Sequence, residues 1–283
     1  MSHKTMACYA AVINYFKQST PNLQVLSVTT DFEIGLRNVF RRYYPTAMIK
    51  GCYFHYIQAL IKKAEKLGLL NILKNWDDGK DFFKKIVALA LLPANEIENA
   101  FNWLIATHNP FIPTFKKFLE YYESYWINCV KPIHFSVFGF INKTNNFMEA
   151  YNRCLKLQFG IHPRIWQFTE HLVRQYEKMK TELNSLMMSR PVRQIQRIEY
   201  FIRKEVLNRV WELYRNNVFD FKRFLQCAHQ MIKIFVDDKV ISQTDEVDNH
   251  LNAVIKKHIA INDSLYVTIN EDDDENFIFV LDK

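Results

Sequence analysis

Leu23-Gln24-Val25-Leu26-Ser27-Val28-Thr29-Thr30-Asp31-Phe32-Glu33 and Met48-Ile49-Lys50-Gly51-Cys52-Tyr53-Phe54-His55 decide the fold. Each stretch opens as an apolar run of strand length, closes on polar side chains, and passes at once into a helical pattern. After the first run, Phe32, Leu36, Val39 and Phe40 share one helical face until Pro45 stops it; after the second, Ile57, Leu60, Ile61 and Ala64 do so until Gly68. The order is strand, helix, strand, helix. Two strands joined by a helical crossover of this length are parallel neighbours. Side chains at the carboxyl ends of such strands face the crevice where these sheets bind ligands, and Asp31 and His55 stand at those ends.

Outward from this core, Met6, Tyr9, Ala10, Ile13 and Phe16 are spaced as a helix that ends before the turn Ser19-Thr20-Pro21-Asn22. Residues 70 to 128 read as a helical block, with Ile86, Leu89 and Ala90, then Ile97, Phe101 and Leu104, then Phe115, Phe118, Leu119 and Tyr122 at helical spacing. Residues 130 to 144 are an irregular aromatic approach to a helix opening at Asn146 and carrying Glu149. Further helices are predicted from Ile165 to about Met188, from Pro191 to about Asn217, from Phe221 to Phe235 and from Glu246 to His258. Leu265-Tyr266-Val267-Thr268-Ile269 and Phe277-Ile278-Phe279-Val280-Leu281, flanking an acidic run, read as a terminal β-hairpin. The fold class that follows is α/β and mostly helical.

Against 23 Phe, 14 Tyr and 5 Trp there are only 6 Gly and 8 Pro in 283 residues, a composition of long elements and few loops. No window reaches about 18 uninterrupted apolar residues, so the expectation is a soluble intracellular chain with no membrane partner. Five scattered cysteines, an odd number, make a poor disulfide framework. The net charge of +7 is uneven: residues 178 to 223 hold 11 Lys and Arg against 5 Asp and Glu. Such a segment suits a polyanion, and its bland reading is a solvated helix face. The candidate nucleic-acid contacts on it are Arg193, Arg197, Arg203, Lys204 and Arg209. No phosphate-binding Gly-rich loop and no Gly-x-Ser-x-Gly elbow occurs, which leaves kinase, P-loop and hydrolase readings without a foothold.

Thr30-Asp31-Phe32-Glu33, then Gly51-Cys52-Tyr53-Phe54-His55-Tyr56-Ile57-Gln58-Ala59-Leu60, and later Asn145-Asn146-Phe147-Met148-Glu149, resemble in that order the Mutator-like element (MULE) transposase domain. The resemblance spans roughly residues 4 to 175. It implies a partial ribonuclease-H-like fold in a domain over residues 1 to 175, with an all-helical insertion over about 70 to 128, and a helical C-terminal region over 176 to 283. It also implies an Asp, Asp, Glu triad holding Mg2+ or Mn2+ for DNA strand cleavage and transfer, with Asp31 and Glu149 as its second and third members. Cys52, His55, Asn145 and Asn146 would stand around them, positioning ligands or substrate. The strand-borne first Asp of the family has no counterpart in this sequence. The chain is therefore expected to be catalytically incomplete alone, nuclear, and partnered by DNA, by a second copy of itself or by the missing strands supplied in trans. The alternative is a domesticated, non-catalytic DNA-binding or protein-interaction protein.

Each site residue also has a structural reading. Thr30-x-x-Glu33 and Asn146-x-x-Glu149 both fit capping boxes, which would make Asp31 and Glu149 first-turn acids facing a helix dipole. Cys52 and His55 are half of a tetrahedral zinc set, with Cys129 and His134 as the other conceivable half, and Cys52 alone reads as a small buried hydrophobe.

Overall fold

The computed structural model describes residues 5–140, 142–160, 162–190, 192 and 198–232. The expected helix over 246 to 258 and the terminal hairpin over 265 to 281 lie outside the described residues, as do Arg193 and Arg197. The described chain is mostly helical with a small parallel sheet, and no described helix is long and apolar enough to cross a membrane. It separates into two compact units, dividing at 144/145 and again at 203/204. Residue 175, the boundary implied by the resemblance, lies inside an unbroken helix.

The first unit opens with α1 (Met6–Ser19), β1 (Ser27–Thr30), α2 (Ile34–Tyr43), β2 (Met48–Gly51) and α3 (Tyr53–Lys66). β1 and β2 are parallel neighbours with Ser27 opposite Met48 and Thr30 opposite Gly51. Both strands are shorter than their apolar runs. Leu23 and Leu26 precede β1 and are exposed, and Cys52 to Phe54 already belong to the entry of α3. α2 starts two residues later than Phe32, with Glu33 at its N-cap and no side-chain capping bond. The Thr30-x-x-Glu33 capping box therefore does not form. The hydroxyl of Thr30 donates instead to the Asp31 carbonyl at 2.9 Å, and the Glu33 carboxylate accepts from the Tyr9 hydroxyl at 2.7 Å. On α3 the buried face is Tyr53, Tyr56, Leu60 and Ala64, an aromatic version of the stripe predicted through Ile57 and Ile61.

The helical block follows as α4 (Leu69–Leu73), α5 (Asp77–Ala88), α6 (Ile97–Thr107) and α7 (Ile112–Tyr121). A π-helical segment (Tyr122–Val130) continues α7, and α8 (Pro132–Phe135) is a single turn inside the stretch expected to be irregular. The core is largely aromatic. Trp126 is fully buried and packs edge-on against Phe32 (4.9 Å between centroids), Tyr56 (4.7 Å) and Phe135 (5.5 Å), so one indole joins the strand-helix segment to the helical block. Beneath it the hydroxyls of Tyr56 and Tyr122 share a hydrogen bond of 2.8 Å, and Tyr56 also donates to the Ile86 carbonyl. Burial therefore raises neither polar group's cost beyond what a partner offsets. The chain returns to this unit from Lys204 onward, within α11 (Ile198–Arg215) and α12 (Phe221–Ala228). There Val206, Val210, Trp211, Phe224 and Leu225 are buried, and the Trp211 indole donates to the Leu91 carbonyl at 2.9 Å.

The second unit holds α9 (Asn146–Phe159) and α10 (Ile165–Met187), which meet where Phe159 packs on Phe168 at 5.3 Å. α9 ends at Gly160, whose φ of +72° is a backbone state that a Cβ disfavours. α10 carries no buried residue, and its apolar stripe (Trp166, Leu172, Tyr176, Met179, Leu183) is exposed.

Truncating the shared indole, Trp126→Ala, is expected to lower the unfolding free energy by about 3–5 kcal/mol, as for other large aromatic deletions in cores. Urea unfolding followed by circular dichroism measures it, and a loss under about 1 kcal/mol would mean that the two segments are held together by something else.

Candidate functional site

The carboxyl end of the parallel pair is set by backbone bonds. The Cys52 amide donates to the Thr30 carbonyl at 2.7 Å, extending the ladder one residue past the strands and fixing where α3 begins. The Tyr53 amide donates to the Lys143 carbonyl at 2.9 Å, which draws the segment after α8 to the same end. Asp31 therefore leaves β1 next to the first turn of α3. His55 Nδ1 lies 3.2 Å from Asp31 Oδ1, with the imidazole 27% and the carboxylate 51% exposed. Asp31 is not a first-turn acid of α2, because Phe32 and Glu33 separate it from Ile34, where the helix begins.

The contact is a close approach of an imidazole nitrogen to a carboxylate oxygen, the two side-chain types that serve most often as proton carriers. The pair can accept or relay a proton, and Asp31 offers hard oxygen ligands. Tyr9 closes one side of this end. Its hydrogen bond to Glu33, with smaller contributions from burial and from the charges of Glu33 and Asp31, pushes its pKa up to about 12. Cys52 is fully buried at the N-cap of α3.

Glu149, Asn145 and Asn146 belong to the second unit. Asn145 is the N-cap residue of α9 without a side-chain capping bond, and its carbonyl accepts the amides of Met148 (2.8 Å) and Glu149 (3.2 Å), which puts Glu149 in the first helical turn. The N-cap is Asn145 rather than Asn146, so Asn146 and Glu149 do not have capping-box positions. Among the described residues no three His, Cys, Asp or Glu side chains converge as a metal set. The tetrahedral zinc alternative is not assembled from them: Cys129 is exposed, and the His134 ring lies against Arg41.

Of the basic residues expected to face nucleic acid, Arg209 is ion-paired with Glu212 at 2.8 Å on its own helix, and Arg203 is half-buried. Lys204 is different. Its charge reaches Lys143, whose mostly buried ammonium lies 5.2 Å from the centroid of the Trp211 ring. Burial, and secondarily Lys204, bring the Lys143 pKa down to about 8. Sequence reading missed Lys143. Its only signal was a position two residues ahead of the Asn145-Asn146 match, and its burial depends on Trp211, 68 positions away.

No family model matches this chain, and no curated protein and no solved structure matches it either. The resemblance to the MULE transposase domain accordingly rests on the ordered motifs.

Because the Lys143 pKa in the folded protein lies below the ordinary lysine value, the unfolded chain holds more protons between about pH 8 and 10, and stability rises with pH in that window. Lys143→Gln is expected to flatten the rise when unfolding free energies are compared across it. An unchanged slope would place the ammonium in water.

Proposed function

We propose that this chain derives from a DDE-type DNA transposase of the Mutator-like class, with a partial ribonuclease-H-like core. In this reading Asp31 and Glu149 are its second and third metal-holding carboxylates, and DNA in the nucleus is its substrate class. The observation that carries the reading is the placement of Asp31 directly after β1, at the carboxyl edge of a parallel pair, with His55 of the Cys-x-x-His motif 3.2 Å away across the strand ends. Ligand-binding carboxylates of α/β sheets stand at that edge. Mg2+ or Mn2+ is the cofactor implied, and it would supply charge neutralisation at a phosphodiester. The described residues do not bring three ligands together, so no cleavage step is derived for them. What this chain's own residues contribute is one exposed carboxylate and an imidazole able to take up a proton beside it.

The second reading, a non-catalytic DNA-binding descendant, rests on the net charge of +7 and its concentration over residues 178 to 223. It keeps the cationic surface as the functional part, with phosphate contacts rather than base readout.

Iron loading separates the two. Fe2+ with ascorbate and peroxide cuts a polypeptide beside a bound ion. The transposase reading expects cuts next to residue 31 and next to residue 149, competed by Mn2+ and lost in Asp31→Asn. Cuts absent from both places, together with a salt-dependent affinity for duplex DNA that Asp31→Asn leaves unchanged, would replace it with the non-catalytic reading.

A further inference from the structure

Away from Asp31, on the other side of Phe32, α2, β2 and α8 bring together cations that are far apart in sequence. Arg37 is only 6% exposed, and its Nε and Nη2 have no hydrogen-bond partner. These two nitrogens lie on one edge of the guanidinium, where their N–H bonds run parallel, the fork that receives two oxygens of one oxyanion. The flat face of the same group is covered by Phe32, 5.7 Å from its centroid, which leaves the edge as its polar outlet. Lys50, on β2, is buried as well. Its ammonium donates to the Ile133 carbonyl at 3.1 Å and sits 5.3 Å from the Phe140 ring centroid. Arg41, one turn after Arg37, holds the His134 ring at 2.9 Å through Nη2, so the imidazole accepts and is neutral.

Among the described residues, every charged group whose field reaches His134 is a cation: Arg37 and Arg41 from α2, Lys50 from β2, and Lys131 at the entry of α8. Burial and these four hold its pKa down at about 4. Burial and Arg37 also lower Lys50, and burial and Arg41 lower Arg37. Buried cations ordinarily come with a carboxylate, because burying an unpaired charge costs several kcal/mol. Here, among the described residues, no carboxylate acts on Arg37, Lys50 or His134, while Arg41 and Lys131 keep the cluster open to solvent.

We infer that Arg37, Arg41, Lys50 and Lys131, with His134 beside them, form a binding site for a phosphate-type oxyanion. A phosphate-type group offers more oxygens than a carboxylate does, enough to take the Arg37 edge and the two lysines together. The site stands apart from the Asp31 reading, since none of these residues belongs to a transposase motif, and it holds whether that reading stands or falls. Its occupant is either free inorganic phosphate or a phosphodiester of a nucleic-acid backbone.

Thermal unfolding of the full chain tests this, with inorganic phosphate against chloride at matched ionic strength. Phosphate at ten times its Kd is expected to raise the unfolding temperature by roughly 3–5 °C. Arg37→Met is expected to keep or raise the unfolding temperature without phosphate, by removing an unpaired buried charge, and to abolish the phosphate shift. The double variant Arg41→Gln with Lys131→Gln changes only exposed side chains, so it folds as the parent does; its phosphate affinity is expected to fall at least tenfold. Bound phosphate should also raise the His134 pKa, so that at about pH 5.5 its ring protonates on adding phosphate, as read from imidazole nitrogen chemical shifts. Competition by a short DNA duplex assigns the site to backbone phosphodiesters, and its absence assigns it to the free ion. No shift in the parent protein, or a shift of equal size in both variants, overturns the proposal.

Discussion

One indole holds the first unit together. Trp126 touches Phe32 from the end of β1, Tyr56 from α3 and Phe135 from α8, so the strand-helix segment and the helical block share a single aromatic contact set. A two-stranded sheet cannot bury enough surface to stand alone, and here it leans on that cluster for the rest of its stability. The site inherits the dependence. Phe32 follows Asp31 directly, Tyr56 follows His55 directly, and the faces these rings bury decide which way the two polar side chains leave the backbone.

Close approach at Gly51 belongs to the same construction. A Cβ there would meet the Phe32 ring at 2.2 Å and the His134 carbonyl at 3.1 Å, so the strand end admits glycine where α8 and the residue after Asp31 both crowd it. The two ends of the crowding lead to different chemistry. On one side stand a carboxylate and an imidazole; on the other, cations without a counter-charge.

The alternation of strand and helix over residues 23 to 66 was legible because apolar runs and helical stripes have different periods, and the parallel pairing followed from the crossover length. Element starts were less legible. Thr30 and Glu33 have the spacing of a capping box, but a Tyr9 hydroxyl reaches Glu33 first, and local propensity carries no record of a partner 24 positions away. The basic segment illustrates the same limit. Its composition is visible in sequence, yet Arg209 spends its charge on Glu212, while the uncompensated cations come from Arg37, Arg41, Lys50 and Lys131, three separate stretches whose densities are unremarkable one by one. Charge counting along a chain finds runs. It does not find convergence in space.

The π-helical segment after α7 has a bearing on how this chain tolerates change in length. A π turn is an α-helix carrying one residue more than its hydrogen-bond ladder needs, commonly the trace of a single insertion. Tyr122 and Trp126 both lie within it, four apart and both fully buried. Removing one residue between them would restore the regular ladder but bring the two rings from four positions apart to three. Trp126 would then lose the offset from Tyr122 at which it meets Phe32 and Tyr56, even though every side chain of the core was still encoded. At this point the number of residues, rather than their identity, carries the structural information.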